Sequence, residues 1–187
     1  MQCPKDKTAQ LVADALDGEL KAQRCPECAG VFIAADDYLT WQAQHGAGEV
    51  SLPITPFQLE FAHSPLDDKA ALCPQCSHYL SRARVSLPDP FYVERCANCG
   101  GIWCDKGEWE ALEKLGLNAS IQQLFSSRWQ ARVREAESAA KERQLMINKL
   151  GPELAEQVFQ TVEALQTHPD GYFGVAYLMR RFDRHPG

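Results

Sequence analysis

The sequence predicts an α+β protein, two small β modules in series followed by a helical C-terminal region. Three observations predict it. Six of the eight cysteines fall in pairs with two residues between them, Cys25/Cys28, Cys73/Cys76 and Cys96/Cys99. The segment around the first pair repeats further along the chain. From Ala119 onward, apolar residues recur at three- and four-residue steps, the period of an amphipathic helix.

The repeat comes first because it organises everything before residue 118. CPKD at 3–6 aligns with CPQC at 73–76, and RCPECAGVF at 24–32 with RCANCGGIW at 95–103. Each unit thus has two cysteine knuckles separated by a similar stretch, with an Arg before the second knuckle and an aromatic after it. In the second unit Arg84–Leu87 and Phe91–Arg95 read as short strands around Pro88-Asp89-Pro90, a turn-forming cluster. In the first, Leu11–Ala13 and Leu20–Gln23 flank Asp17-Gly18, a hairpin signal.

After the second knuckle, Asp105 and Glu108 form a capping arrangement ahead of Trp109, Leu112 and Leu115, with Gly116 as the stop. Asp37 and Tyr38 occupy the matching places in unit one, so a short helix is expected there through Trp41. Phe32, Trp103 and Trp109 are expected to pack over the knuckles. The organisation is a module at 1–42, a linker at 43–70 that is apolar around Phe57–Phe61, a module at 71–117 and a helical region at 118–187. In that region one helix is expected from Ile121 to about Lys149. Gly151-Pro152 starts a second, and Gly174–Phe182 forms a third after the turn at His168–Gly171.

Composition limits the function classes. The chain of 187 residues is 45% hydrophobic and 24% charged, as in globular proteins, and no apolar run is long enough to span a bilayer. MQCPKDKTAQ lacks the order of a secretory signal, so a cytoplasmic location is expected. Paired cysteines in that compartment indicate metal, whereas an exported chain would use them as a disulfide framework. Net charge is −6, and residues 1–117 carry 10 Lys/Arg against 17 Asp/Glu. The clustered basic footprint that neutralises phosphates is therefore missing from the cysteine-bearing half.

The cysteine chemistry then points to zinc. Zinc(II) takes four tetrahedral ligands and favours thiolates. Cys73, Cys76, Cys96 and Cys99 supply four, two from each end of a hairpin, and leave no open position for a reacting water. This is a structural site, and no enzymatic activity is expected. Unit one offers Cys3, Cys25 and Cys28, with Asp6 where the fourth cysteine would stand. Three readings stay open: a second zinc held by Cys3, Asp6, Cys25 and Cys28, a site completed by His45 or His63, or an eroded site without metal. Cys104 reads as a small buried residue, and His78 as a surface one.

CPQC…RCANCGGIWCDKGEWEALEKL resembles the transcription-factor-IIB-type zinc finger, a zinc-ribbon family whose pattern is CPxC, a hairpin, then CxxCGGxWLDxGELExL. Residues 73–115 follow it, departing at Cys104 and Trp109 where leucine is usual. Residues 3–41 follow it more loosely, with the CPxD first knuckle and Ala29 in place of the first glycine. The resemblance implies zinc binding, and the family label suggests transcription. The expected role is a zinc-held, non-catalytic scaffold for protein–protein interaction or self-association. The alternative is nucleic-acid binding through Arg82, Arg84, Arg95, Arg128, Arg132 and Arg134. No membrane and no small-molecule substrate are indicated.

Overall fold

The computed structural model describes residues 1–46, 64–87 and 89–183. The apolar stretch Phe57–Phe61 and His63 lie outside the described residues. The described chain forms two compact units, Met1–Glu135 and Ala136–Gly187.

The first unit is built on one sheet. Strands β1 (Val12–Leu16) and β2 (Leu20–Arg24) form a hairpin across Asp17-Gly18. Strands β4 (Leu80–Val85) and β5 (Phe91–Cys96) form the matching hairpin of the second module. The second knuckle of each module is followed by a short strand absent from the sequence reading, β3 (Val31–Ile33) and β6 (Ile102–Cys104). These two pair antiparallel with each other, so the sheet runs β1-β2-β3-β6-β5-β4. The expected separate modules are therefore two halves of a six-stranded sheet.

The register places Phe32 opposite Trp103, with Val31 opposite Cys104 and Ile33 opposite Ile102. Because side chains alternate across a strand, this register sorts the residues onto two faces. Val31, Ile33, Ile102 and Cys104 join one core with Leu20, Phe91 and Val93. Phe32 and Trp103 join the other, among the cysteines. Trp109, expected over a knuckle, lies on the first face instead, its ring 5.5 Å from that of Trp41 in a T-shaped contact. The reason is helical: it sits on α2 (Glu108–Lys114), which covers the side of the sheet away from the cysteines.

That side is roofed by α1 (Ala35–His45), α2 (Glu108–Lys114), α3 (Ile121–Leu124) and the first turns of α4 (Ser127–Leu150). Helix α2 begins on Gly107 at φ 84°, a backbone position that suits glycine. The expected capping box is half-formed: the Glu108 carboxylate accepts the Asp105 N–H at 2.7 Å, while Asp105 accepts the Trp103 indole N–H at 2.8 Å. Tyr38 ties α1 to the region after α2, its hydroxyl donating to the Asn118 carbonyl at 2.7 Å and accepting from Ile121 N–H at 3.1 Å.

The single helix expected from Ile121 breaks at Phe125-Ser126, where the Ser126 hydroxyl accepts the Trp129 N–H at 3.1 Å and opens α4. Local hydrogen bonding by serine overrides the apolar period there. Residues 118–135 thus belong with the sheet, and Val133 is the last of them in its core.

The second unit contains the rest of α4 with α5 (Pro152–Thr167) and α6 (Gly171–Asp183). Helix α6 starts three residues earlier than expected. Gly171 lets it begin against the Leu165 carbonyl, where a Cβ would lie 1.7 Å from that oxygen. Arg143 of α4 pairs with Glu156 at 3.0 Å and lies over the Phe159 ring at 3.7 Å. Among the described residues of this unit only Ala155 and Gly171 are buried.

The central pairing leaves no room for side chains beneath its aromatics. A Cβ on Gly30 would lie 2.3 Å from Trp103, and one on Gly101 2.6 Å from Phe32. Gly30→Ala and Gly101→Ala should each destabilise the folded chain by about 1–3 kcal/mol, the range for overpacking a filled core, as read by chemical denaturation with metal present.

Candidate metal centre

Three of the four knuckles are closed in the same way. The N–H of Cys25, Cys73 or Cys96 donates to the carbonyl five residues on (Gly30, His78, Gly101) at 2.7–2.8 Å. The carbonyl of the same cysteine accepts the N–H four residues on (Ala29, Ser77, Gly100) at 2.8–3.0 Å. That fourth residue must turn left-handed, and it does, at φ 58° for Ala29, 60° for Ser77 and 77° for Gly100. Only glycine adopts this without cost. The Ala29 departure seen in the sequence is thus a strained residue inside a standard knuckle.

In the second module Cys73, Cys76, Cys96 and Cys99 converge, their sulfurs all within 4.8 Å of one another. Cys73 and Cys99 Sγ are 3.5 Å apart, and Cys76 and Cys96 Sγ 3.4 Å. Zinc–thiolate bonds of roughly 2.3 Å at tetrahedral angles require sulfurs a little under 4 Å apart, so the donor set fits zinc in number, chemistry and spacing. Burial pushes the Cys73 thiol up to about 12, while a backbone N–H bond from the His78 turn holds the half-buried Cys76 at about 5. A thiol like Cys73 does not ionise unaided near neutrality; a bound cation supplies the compensating charge, and its binding releases the proton.

In the first module the structure brings together Cys3, Cys25 and Cys28, with Cys3 and Cys28 Sγ 3.6 Å apart. It does not bring Asp6 into the group. The Asp6 carboxylate accepts the Thr8 N–H at 3.0 Å and the Thr8 hydroxyl at 2.7 Å, bonds that hold it below the usual carboxylate range. The first knuckle is also rebuilt around this turn, because Cys3 N–H reaches the Ala9 carbonyl, six residues on where the others use five. Asp6 therefore replaces more than one cysteine side chain; it accompanies a wider loop. The set fits zinc through three thiolates and, among the described residues, is one donor short.

Of the two histidine fallbacks, His63 lies outside the described residues, and His45 does not fill the gap. His45 stacks on Trp41 at 4.5 Å, with Nδ1 at the Trp41 carbonyl and Nε2 3.5 Å from Glu19. His78 is exposed and lies against the Cys76 carbonyl at 3.0 Å. Cys104 is fully buried in the helix-side core, away from both sets.

The sequence reading missed a buried polar cluster on the cysteine side. The Lys5 ammonium has a side chain with no solvent exposure and donates to Glu94 Oε1 at 2.6 Å. It also donates to the carbonyls of Lys69 at 2.7 Å and Leu66 at 3.1 Å, and lies 3.6 Å from Asp105 Oδ2. Asp67, Asp105 and Glu108 stand within 4.8 Å of each other beside it. Burial raises Glu94 to about 7, and burial with the neighbouring Asp105 charge raises Glu108 to about 10. The only linear signal was a lysine in the knuckle CPKD, which reads as an ordinary exposed cation.

With that geometry in place, comparison with family models gives the class. Residues 2–44 and 72–114 each match the family described as Transcription factor zinc-finger, so the chain carries two tandem copies of this zinc ribbon. The matches end before the helical region. Comparison with curated proteins and with solved structures gives no match.

Three outcomes check this centre. Metal analysis of the purified chain should give two zinc ions per chain, and Cys76→Ser should remove one. Asp6→Ala should leave the count at two, because the Asp6 carboxylate is engaged by Thr8; a drop to one would place Asp6 in the shell. Glu108 keeps its proton in the folded state up to about 10 but loses it near 4.5 once unfolded. The folded state therefore binds the extra proton between those values, and this group's contribution to stability falls as pH rises through that window. Glu108→Gln, which carries the neutral shape permanently, should flatten the decline measured between pH 7 and 9 in the metal-loaded chain.

Proposed function

We propose that this chain is a non-catalytic scaffold in which the zinc-held sheet carries a helical hairpin that docks a protein, either a partner or a second copy of the chain. The observation that carries this reading is the exposed apolar surface of α5 and α6. Tyr172, Phe173, Met179 and Phe182 are 63–76% exposed. A groove of about 810 Å³ runs along the hairpin, lined by Leu154, Val158, Val162, Leu165, Val175 and Leu178 among others. Single exposed leucines need no explanation, but a contiguous apolar face on a short helical hairpin signals an interaction site. Two helices of 16 and 13 residues also bury too little between themselves to be stable alone.

The second metal site supports the non-catalytic part. Four protein thiolates around the second site close the tetrahedron, so no ligand position is left for substrate or water.

Nucleic-acid binding is the second reading, and Arg128, Arg132 and Arg134, exposed on α4, favour it. Glu135, Glu137 and Glu142 interleave with them. Of the ribbon arginines, Arg82 is drawn toward Asp67 and Glu94 and stacks over Tyr92 at 4.1 Å, which weakens its case as a phosphate contact.

Sedimentation velocity across a concentration series, with a pull-down from cell extract, separates the readings. The full chain should self-associate or retain a protein partner, and Phe173→Ser with Phe182→Ser should abolish it while leaving the zinc count unchanged. A monomer with no protein partner, together with duplex or single-strand binding that weakens steeply with salt, would favour the nucleic-acid reading.

A further inference from the structure

We propose that the two metal sites are thermodynamically coupled, metal in the first module raising the affinity of the second through Lys5 and the swapped aromatic lids. The proposal rests on both cysteine sets being metal sites, and its test separates that premise from the coupling.

Lys5 is two residues past Cys3. Its ammonium bonds to three points in the second module and its approach: Glu94, two residues before Cys96 on β5, and the carbonyls of Leu66 and Lys69, the latter four residues before Cys73. One buried cation thus touches the stretches that deliver both knuckles of the second site. Metal at the first site clamps Cys3 to Cys25 and Cys28, and that clamp fixes the backbone from which Lys5 reaches. If Lys5 withdraws, Glu94 and Asp105 are left buried without their nearest cation, and breaking one side of a buried pair is far costlier than forming it is favourable.

The aromatic lids run between modules in both directions. Trp103 of the second module packs on Gly30, whose carbonyl closes the Cys25 knuckle. Phe32 of the first module packs on Gly101, whose carbonyl closes the Cys96 knuckle. Glu94 and Trp103 are register partners on adjacent strands, so the ion pair and the lid share one locus. Order at either site therefore supports the backbone of the other, and by linkage the effect is reciprocal.

The experiment uses the full chain and cobalt(II) as the probe, with second-site affinity read by chelator competition through the thiolate absorption bands. Wild type is compared with Cys28→Ser, and the same pair is made in a Lys5→Met background. Cys28→Ser should weaken the second site about tenfold, within the usual range for coupled sites. In the Lys5→Met background the same change should have at most about a third of that effect, whereas Lys5→Arg should restore part of it. Circular dichroism of each loaded variant checks that the sheet persists. Equal second-site affinities in wild type and Cys28→Ser overturn the proposal. An equal loss in both backgrounds removes Lys5 as the carrier and overturns it as stated. Wild type binding only one cobalt shows instead that the premise of two sites fails.

Discussion

The antiparallel pairing of β3 with β6 is the constraint on which the first unit depends. Three residues from each module meet there, and their register alone decides which side chains face the helices and which face the cysteines. A slip of β3 by one residue against β6 would turn Phe32 into the helix-side core and expel Val31 and Ile33 from it. Among the described residues neither ribbon has a second sheet or a large helix of its own to bury this edge. Each instead completes the other, and full burial of aromatics such as Phe32 and Trp103 contributes roughly 2–3 kcal/mol per side chain.

Metal and sheet have divided the structural work between the two faces. The helix side holds an ordinary apolar core, with Trp41, Trp109, Leu112, Ile121, Leu124 and Trp129 packed over the strands. The cysteine side has fewer apolar residues and adds to them two thiolate clusters and a buried ion network around Lys5. Thiolates and carboxylates together bring much negative charge into a poorly solvated layer. Zinc, the Lys5 ammonium and the Arg82 guanidinium offset it, so cation binding and folding are one process on this face.

Much of this was legible in the sequence, and the misses have definite causes. The hairpins, the knuckles and the two Cys-based ligand sets follow from spacing and turn residues, because those signals are local. The strands β3 and β6 were missed because three residues after a knuckle carry no period, and they become strands only by finding each other across the chain. Lys5 was missed because burial of a lysine depends on acids about 90 to 100 residues away and carbonyls about 60 away. Asp6 was read as a possible ligand because it occupies the fourth position. The i+6 closure at Ala9 and the Thr8 bonds that draw its carboxylate aside are three-dimensional facts. The helix break at Ser126 shows a hydroxyl outweighing an apolar repeat that runs straight through it.

The swapped lids have a consequence for how the chain is made. Phe32 emerges from the ribosome about 70 residues before Trp103, its register partner. During that interval the first ribbon carries an unpaired apolar edge and lacks the indole that covers its second knuckle. Domains emerge at roughly 5–20 residues per second, so the gap lasts several seconds, long enough for an exposed strand edge to meet another nascent copy. Early capture of zinc by Cys3, Cys25 and Cys28 would hold the first hairpin in shape through that wait. On this view the three-cysteine site also serves before the protein is complete, as a clasp on a half-made sheet.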